Sequence, residues 1–93
     1  MAAAEMKLPE NLTIANAHAL HDEFEAAFNK DKTEELILEG GAVSRTDTAG
    51  IQLLLAAVNL GKERNITVTL REPSEKLVEA AGTLGLDAAL GLH

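Results

Sequence analysis

Cysteine is absent from the 93 residues, and so are tryptophan and tyrosine. Without cysteine there is no disulfide, no thiol nucleophile and no thiolate zinc site. A thiol-free chain fits a reducing compartment. Phe24 and Phe28 are the only aromatic residues. The core must therefore be aliphatic, and no ring platform exists for stacking single-stranded bases. Basic residues are also few: 8 Lys and Arg stand against 15 Asp and Glu, a net charge of -7. Such a chain is repelled by nucleic-acid phosphates and by anionic membrane surfaces. No apolar run reaches membrane-spanning length, and Met1 to Met6 lacks the basic and apolar regions of a signal peptide. The expectation is a soluble, cytoplasmic protein that binds no nucleic acid and does not insert into a membrane.

What is present is ordinary for a globular domain: 46% hydrophobic and 25% charged residues. The length suits one domain, residues 1–93, with 1–5 as a loose tail. Met6-Lys7-Leu8 and Leu12-Thr13-Ile14 alternate around Pro9-Glu10-Asn11, which reads as a short hairpin. Asn16 is a candidate cap for a first helix whose apolar stripe is Leu20, Phe24, Ala27 and Phe28. Polar Asp31-Lys32-Thr33 closes that helix, and Leu36-Ile37-Leu38 reads as a buried strand before the Gly40-Gly41 turn. A loop from Ala42 to Asp47 leads into a strong helix, about Thr48 to Arg64, with Ile51, Leu54, Leu55 and Val58 inward. Asn65 suits a left-handed end to that helix. Ile66, Val68 and Leu70 alternate with Thr67 and Thr69, a clear strand pattern. Glu72-Pro73-Ser74 opens a third helix with Leu77, Val78, Ala81 and Leu84 on one face, and Leu86 to Leu92 suggests a last short helix. The order β-β-α-β-α-β-α predicts an α/β fold: a small mixed sheet with helices packed mainly on one face.

No catalytic signature accompanies this pattern. There is no H-E-x-x-H, no G-x-x-x-x-G-K and no Ser/His/Asp arrangement. His18 and His21 have a spacing that two metal ligands can share, but no third ligand converges on them, and they read as solvated histidines. Glu23, Glu25, Glu34 and Glu35 read as solvated faces. No catalytic residue, metal or cofactor is expected. The informative segment is Val43-Ser44-Arg45-Thr46-Asp47-Thr48-Ala49-Gly50, running straight into Ile51-Gln52-Leu53-Leu54-Leu55. Asp47 is placed to cap the helix, meeting its free N–H groups and positive end. Gly50 lets the first turn pack close to the sheet, and Thr48 is an exposed hydroxyl beside the cap.

Asp47-Thr48-Ala49-Gly50, set between a buried strand and an apolar helix, resembles the signature of STAS domains, the anti-sigma-factor antagonist family. The resemblance extends over Leu8 to Ile14, Asn16-Ala17, Leu36 to Glu39, Thr67 to Glu72, Pro73-Ser74 and Leu84-Gly85-Leu86. It implies a partner-binding module rather than an enzyme. In sporulation-type antagonists a partner serine kinase phosphorylates the third motif residue. Here that residue is Ala49, so Thr48 is the remaining phosphorylation candidate. Glu39-Gly40-Gly41 and Thr46 also depart from the family pattern. Val43-Ser44-Arg45, Asp47-Thr48, Gly50 and Leu53-Leu54-Leu55 also resemble the STAS subunit of the Mla phospholipid-transport ABC system, which docks on its ATPase. The resemblance implies first a regulatory module acting on an anti-sigma factor or serine kinase, with a transporter accessory and a chemotaxis-operon protein as the alternatives.

A helical wheel sets Leu53 and Leu60 nearly opposite Ile51, Leu55 and Val58. Asp47, Thr48, Ala49, Gly50, Gln52, Leu53 and Leu60 are therefore the expected partner-binding residues. The competing account is that Leu86 to Leu92 folds back over Leu53 and Leu60.

Overall fold

The computed structural model describes residues 2–30 and 33–92, so Met1, Asp31, Lys32 and His93 lie outside the described residues, including two members of the polar stop after the first helix. Eight elements follow one another: β1 (Ala2–Lys7), β2 (Asn11–Leu12), α1 (Ile14–Phe28), β3 (Thr33–Glu39), β4 (Arg45–Thr46), α2 (Thr48–Glu63), β5 (Thr67–Arg71) and α3 (Glu75–Thr83). The main sheet has three strands with β3 in the centre, parallel to β1 on one side and β5 on the other. The two-residue strands β2 and β4 form a second small parallel pair. Parallel neighbours require crossovers, and α1 and α2 supply them.

Side-chain alternation sorts the sheet into two faces. Ala4, Leu36 and Val68 form one cross-strand row on the inner face, and Met6, Leu38 and Leu70 form the next. Leu36 and Leu38 are fully buried in the central strand, beneath Leu20, Phe24, Ile51, Leu54 and Leu77 from the helices. The opposite face carries Glu5, Lys7, Glu35, Ile37, Glu39, Thr67, Thr69 and Arg71 and stays open to solvent. There the Arg71 guanidinium bonds the carboxylates of both Glu39 and Glu5, tying all three strands together. The two partners raise the Arg71 pKa, with Glu39 the larger cause. Helices thus cover one face of an α/β sheet, as the element order predicts.

Several expectations are corrected. The hairpin does not form, and with it goes the antiparallel pair that would make the sheet mixed: every strand pair among the described residues is parallel. Alternation in Met6-Lys7-Leu8 marks a strand but not its partner. Pairing with β3 lets Met6 join the inner face, and the Leu8 N–H continues the ladder by donating to the Glu39 carbonyl at 2.9 Å. The chain start is no loose tail, since Ala2 to Lys7 is that same edge strand. Leu86 to Leu92 forms hydrogen-bonded turns instead of a helix, seating Leu90 in the core. Val78 and Leu84 are each 39% exposed, leaving Leu77 and Ala81 as the buried pair of α3.

In α2 the inward stripe is rotated from the expected one. Gly50, Ile51, Leu54, Ala57 and Gly61 are buried, whereas Leu55 and Val58 are only half-buried. Glycine sets the rotation. A Cβ at Gly50 would stand 2.0 Å from the Leu12 carbonyl oxygen, and one at Gly61 would stand 2.6 Å from that of Ile66. The helix presses backbone to backbone at both ends, and only a face that begins and ends with glycine allows that approach. Asn65 ends α2 with φ of 58°, the left-handed conformation expected of it.

Leu54→Ala is expected to cost about 2–5 kcal/mol in chemical denaturation, as for other fully buried leucines. Leu55→Ala should cost distinctly less, because Leu55 keeps part of its surface in water. Equal losses would mean that the stripe had been assigned to the wrong face.

Candidate functional site

Parallel strands place the starts of all three helices at the carboxyl edge of the sheet. The segment from Ala42 to Gly50 lies at that edge, after β3. Val43 is buried and anchors it, and the Ser44 and Arg45 N–H groups both donate to the Glu10 carbonyl at 2.8 and 3.0 Å. Arg45 and Thr46 then run beside Asn11 and Leu12, and the Asp47 N–H donates to the Leu12 carbonyl at 3.3 Å. The expected loop is thereby clamped to the connection between β1 and α1.

Asp47 takes an extended backbone, with φ of -133°, and caps α2: its Oδ1 accepts from the Gly50 N–H at 2.8 Å. Its Oδ2 accepts from the Ile14 N–H at 3.0 Å, in the first turn of α1. One carboxylate therefore satisfies backbone donors at the start of two helices. Thr13, the residue before α1, makes no capping bond with its side chain, so Asp47, 33 positions from Ile14 in sequence, acts in its place. The expected cap, Asn16, instead donates its side-chain amide to the Asn11 carbonyl at 2.7 Å. Both the hydrogen bonds and the two positive helix ends favour the ionised carboxylate. The Asp47 pKa is lowered, first by the bond from Ile14 and then by that from Gly50.

Around this clasp the expected site residues occupy three environments. Thr48 and Gln52 are exposed, Asp47 and Ala49 are half-buried, and Gly50 is buried against Leu12. Leu53 and Leu60 are half-buried and pack on the core cluster, so the far side of α2 is not theirs. That side is Thr48, Gln52, Ala56 and Asn59, all exposed. His18 and His21 stand on the surface of α1, 3.8–3.9 Å from Asp22 and Glu25 carboxylates, and no group of three metal-ligating side chains occurs among the described residues. No helix of the described residues is long and apolar enough to cross a membrane.

Two features escaped the sequence reading. Ile14 is 69% exposed, the most exposed large apolar side chain among the described residues, and it stands directly on the Asp47 bond. In addition, Ile14 to His21 and Thr48 to Gly61 contain no Asp, Glu, Lys or Arg. Charge returns at Asp22, midway along α1, and at Lys62, in the last turn of α2. The uncharged runs are visible in the sequence. Their meaning is not, until the fold sets the two helices side by side with their starts joined.

Over residues 1–92 the chain matches the family described as "Mlab, STAS domain", and it belongs to the STAS-domain family. Among solved structures it resembles a sulfate transporter family protein from Wolinella succinogenes, with a TM-score of 0.77 at 19% identity, covering 96% of this chain and 71% of that one. It also resembles a part of SLC26A9, with a TM-score of 0.73 at 16% identity, covering 92% of this chain and 16% of that protein. At these identities the two likenesses show the fold. No sequence match to a curated protein was found.

Asp47→Asn is expected to lower the melting temperature, although Asn is itself a good cap. An amide has one acceptor oxygen, and the second N–H would face an NH2 group. Because the folded pKa of Asp47 is lowered, its stabilisation is complete above the ordinary carboxylate range and disappears as pH falls through the depressed folded value. The gap between wild type and variant should therefore be constant near neutral pH and close in strong acid, read by thermal melts across pH. Gly50→Ala should cost about 1–3 kcal/mol or more through overpacking against Leu12, measured by chemical denaturation.

Proposed function

We propose that this chain is a docking module rather than an enzyme, and that it binds a partner protein through the Asp47–Gly50 turn and the outer faces of α1 and α2. The observation that carries this reading is the absence of charge across the first half of α1 and nearly all of α2. A quarter of the chain is charged, yet Ile14 to His21 and Thr48 to Gly61 are free of Asp, Glu, Lys and Arg. Solvated helix faces are normally rich in charge, whereas the centres of protein interfaces are depleted of it. Ile14 supplies an exposed apolar anchor, and Thr48 and Gln52 supply polar contacts beside it. Asp47 holds Ile14 and Thr48 in one rigid frame, which lowers the ordering cost of docking. Leu53 and Leu60 border the surface with the parts of their side chains that reach solvent.

Two finer roles use this surface differently. An anti-sigma-factor antagonist is released when a serine kinase phosphorylates it, and the motif residue that would take the phosphate is Ala49. A transport accessory stays docked. Ala49 and the name of the matched family both favour the second role, a STAS subunit held on the ATPase of a phospholipid-transport ABC system. The first role would rest on Thr48, where phosphate would add about -1.5 to -2 of charge next to Asp47.

Co-purification decides between them. The wild-type chain should capture an ABC ATPase subunit, and Ile14→Glu and Thr48→Glu should each abolish capture while leaving the circular dichroism spectrum unchanged. Leu53→Glu, by contrast, should destabilise the fold, because Leu53 packs on the core. Capture of a serine kinase in place of the ATPase, with phosphate found on Thr48 by mass spectrometry, would overturn the transport role.

A further inference from the structure

We infer that the open groove between β4 and α3 receives an extended, acidic segment of the partner protein. Arg45 lines one wall with Ser44 and Thr46, Lys76 and Glu79 line the other with Ala80 and Thr83, and Thr13 completes the surface. Arg45 and Lys76 come from sequence positions far apart, on β4 and α3, and are brought to one groove by the packing of α3 on β4. Neither makes an ion pair with a carboxylate among the described residues, whereas Arg71 holds two. Glu79 is the single acid among the lining residues, so the groove is locally positive in a chain of net charge -7. Lys62 and Arg64 form a second basic place, at the far end of α2 from the Asp47 turn, and serve as the comparison.

The shape selects the same occupant. The groove is wide open to solvent, which suits an extended backbone better than a small enclosed anion. Its hydroxyls offer neutral hydrogen bonds along the path of a peptide. The groove is also continuous with the docking surface: Thr13 directly precedes Ile14, and Thr46 directly precedes Asp47. A charged rim beside an uncharged centre is the usual anatomy of an interface, and rim charges set the rate and the specificity of encounter. This inference rests on the docking reading only in assigning the segment to that same partner.

The probe is a glycine–serine peptide with interspersed glutamates, titrated into isotope-labelled protein and followed by amide chemical shifts. A glutamine counterpart is the neutral control. The glutamate peptide should shift amides of residues 44–46 and 76–83, and the glutamine peptide should not. Arg45→Ser with Lys76→Ser should abolish the shifts, and Lys62→Ser with Arg64→Ser should leave them in place. Raising salt from about 0.05 to 0.5 M should weaken binding about tenfold by screening. The inference is overturned by equal shifts from both peptides, by shifts centred on Lys62 and Arg64, or by survival of binding in the Arg45/Lys76 variant. Displacement of the peptide by an equal concentration of inorganic phosphate would also overturn it, by revealing a small-anion pocket. Both cations are exposed, and the amide spectrum itself reports whether the variant folds. Should it not fold, the glutamine control and the salt dependence of the wild type decide. No intact partner enters this titration, so its failure leaves the α1–α2 surface standing, and a failure of Ile14→Glu to affect capture leaves the groove standing.

Discussion

The Asp47 carboxylate is the joint on which the carboxyl edge of this domain depends. One oxygen closes the first turn of α2 and the other closes the first turn of α1. Each helix start has backbone donors without internal partners. Ordinary capping answers that need locally, with one side chain for each helix. Here a single acid answers for two helices, so their starts cannot move independently. Close packing reinforces the joint. Gly50 lies against Leu12, the residue that also receives the Asp47 N–H, so the capping residue and the glycine press on the same short strand.

The parallel sheet makes such a joint possible. With β1, β3 and β5 running the same way, each following helix begins at the same edge. Three positive helix ends gather there, and two acceptors meet them: Asp47 for α1 and α2, and the Ser74 hydroxyl, which accepts from the Leu77 N–H, for α3. The opposite face of the sheet is organised differently. Apart from Ala3 and Ile37 its side chains are charged or hydroxylated, and Arg71 crosses all three strands to reach Glu39 and Glu5. One side of the domain is thus rich in paired charge and the other, across the first turns of α1 and α2, has none.

Much of the local structure was legible. The stripe Leu20, Phe24, Ala27 and Phe28 buries as its spacing requires, and Asp47, Gly50, Asn65 and Ser74 take the backbone roles their chemistry suits. The misreadings share a cause. Alternation along Met6 to Leu8 cannot say which strand it pairs with, because its period is the same in a hairpin and in a parallel ladder. In α2, leucine occupies several faces at once, so apolar spacing alone leaves the inward direction open to more than one choice. The close approaches at Gly50 and Gly61 settle it.

The sequence by itself determined the class of fold, the aliphatic core, the helix cap at Asp47 and the charge-free runs, because each follows from residues near one another in the chain. It also placed Thr48 beside that cap. Only the tertiary structure decided that β1 pairs with β3, that Leu53 turns partly inward, that Ile14 is left in solvent, and that Asp47 reaches a second helix. Those depend on contacts between segments distant in sequence. The bond from Ile14 to Asp47 spans 33 positions, and no periodicity within either segment encodes the other.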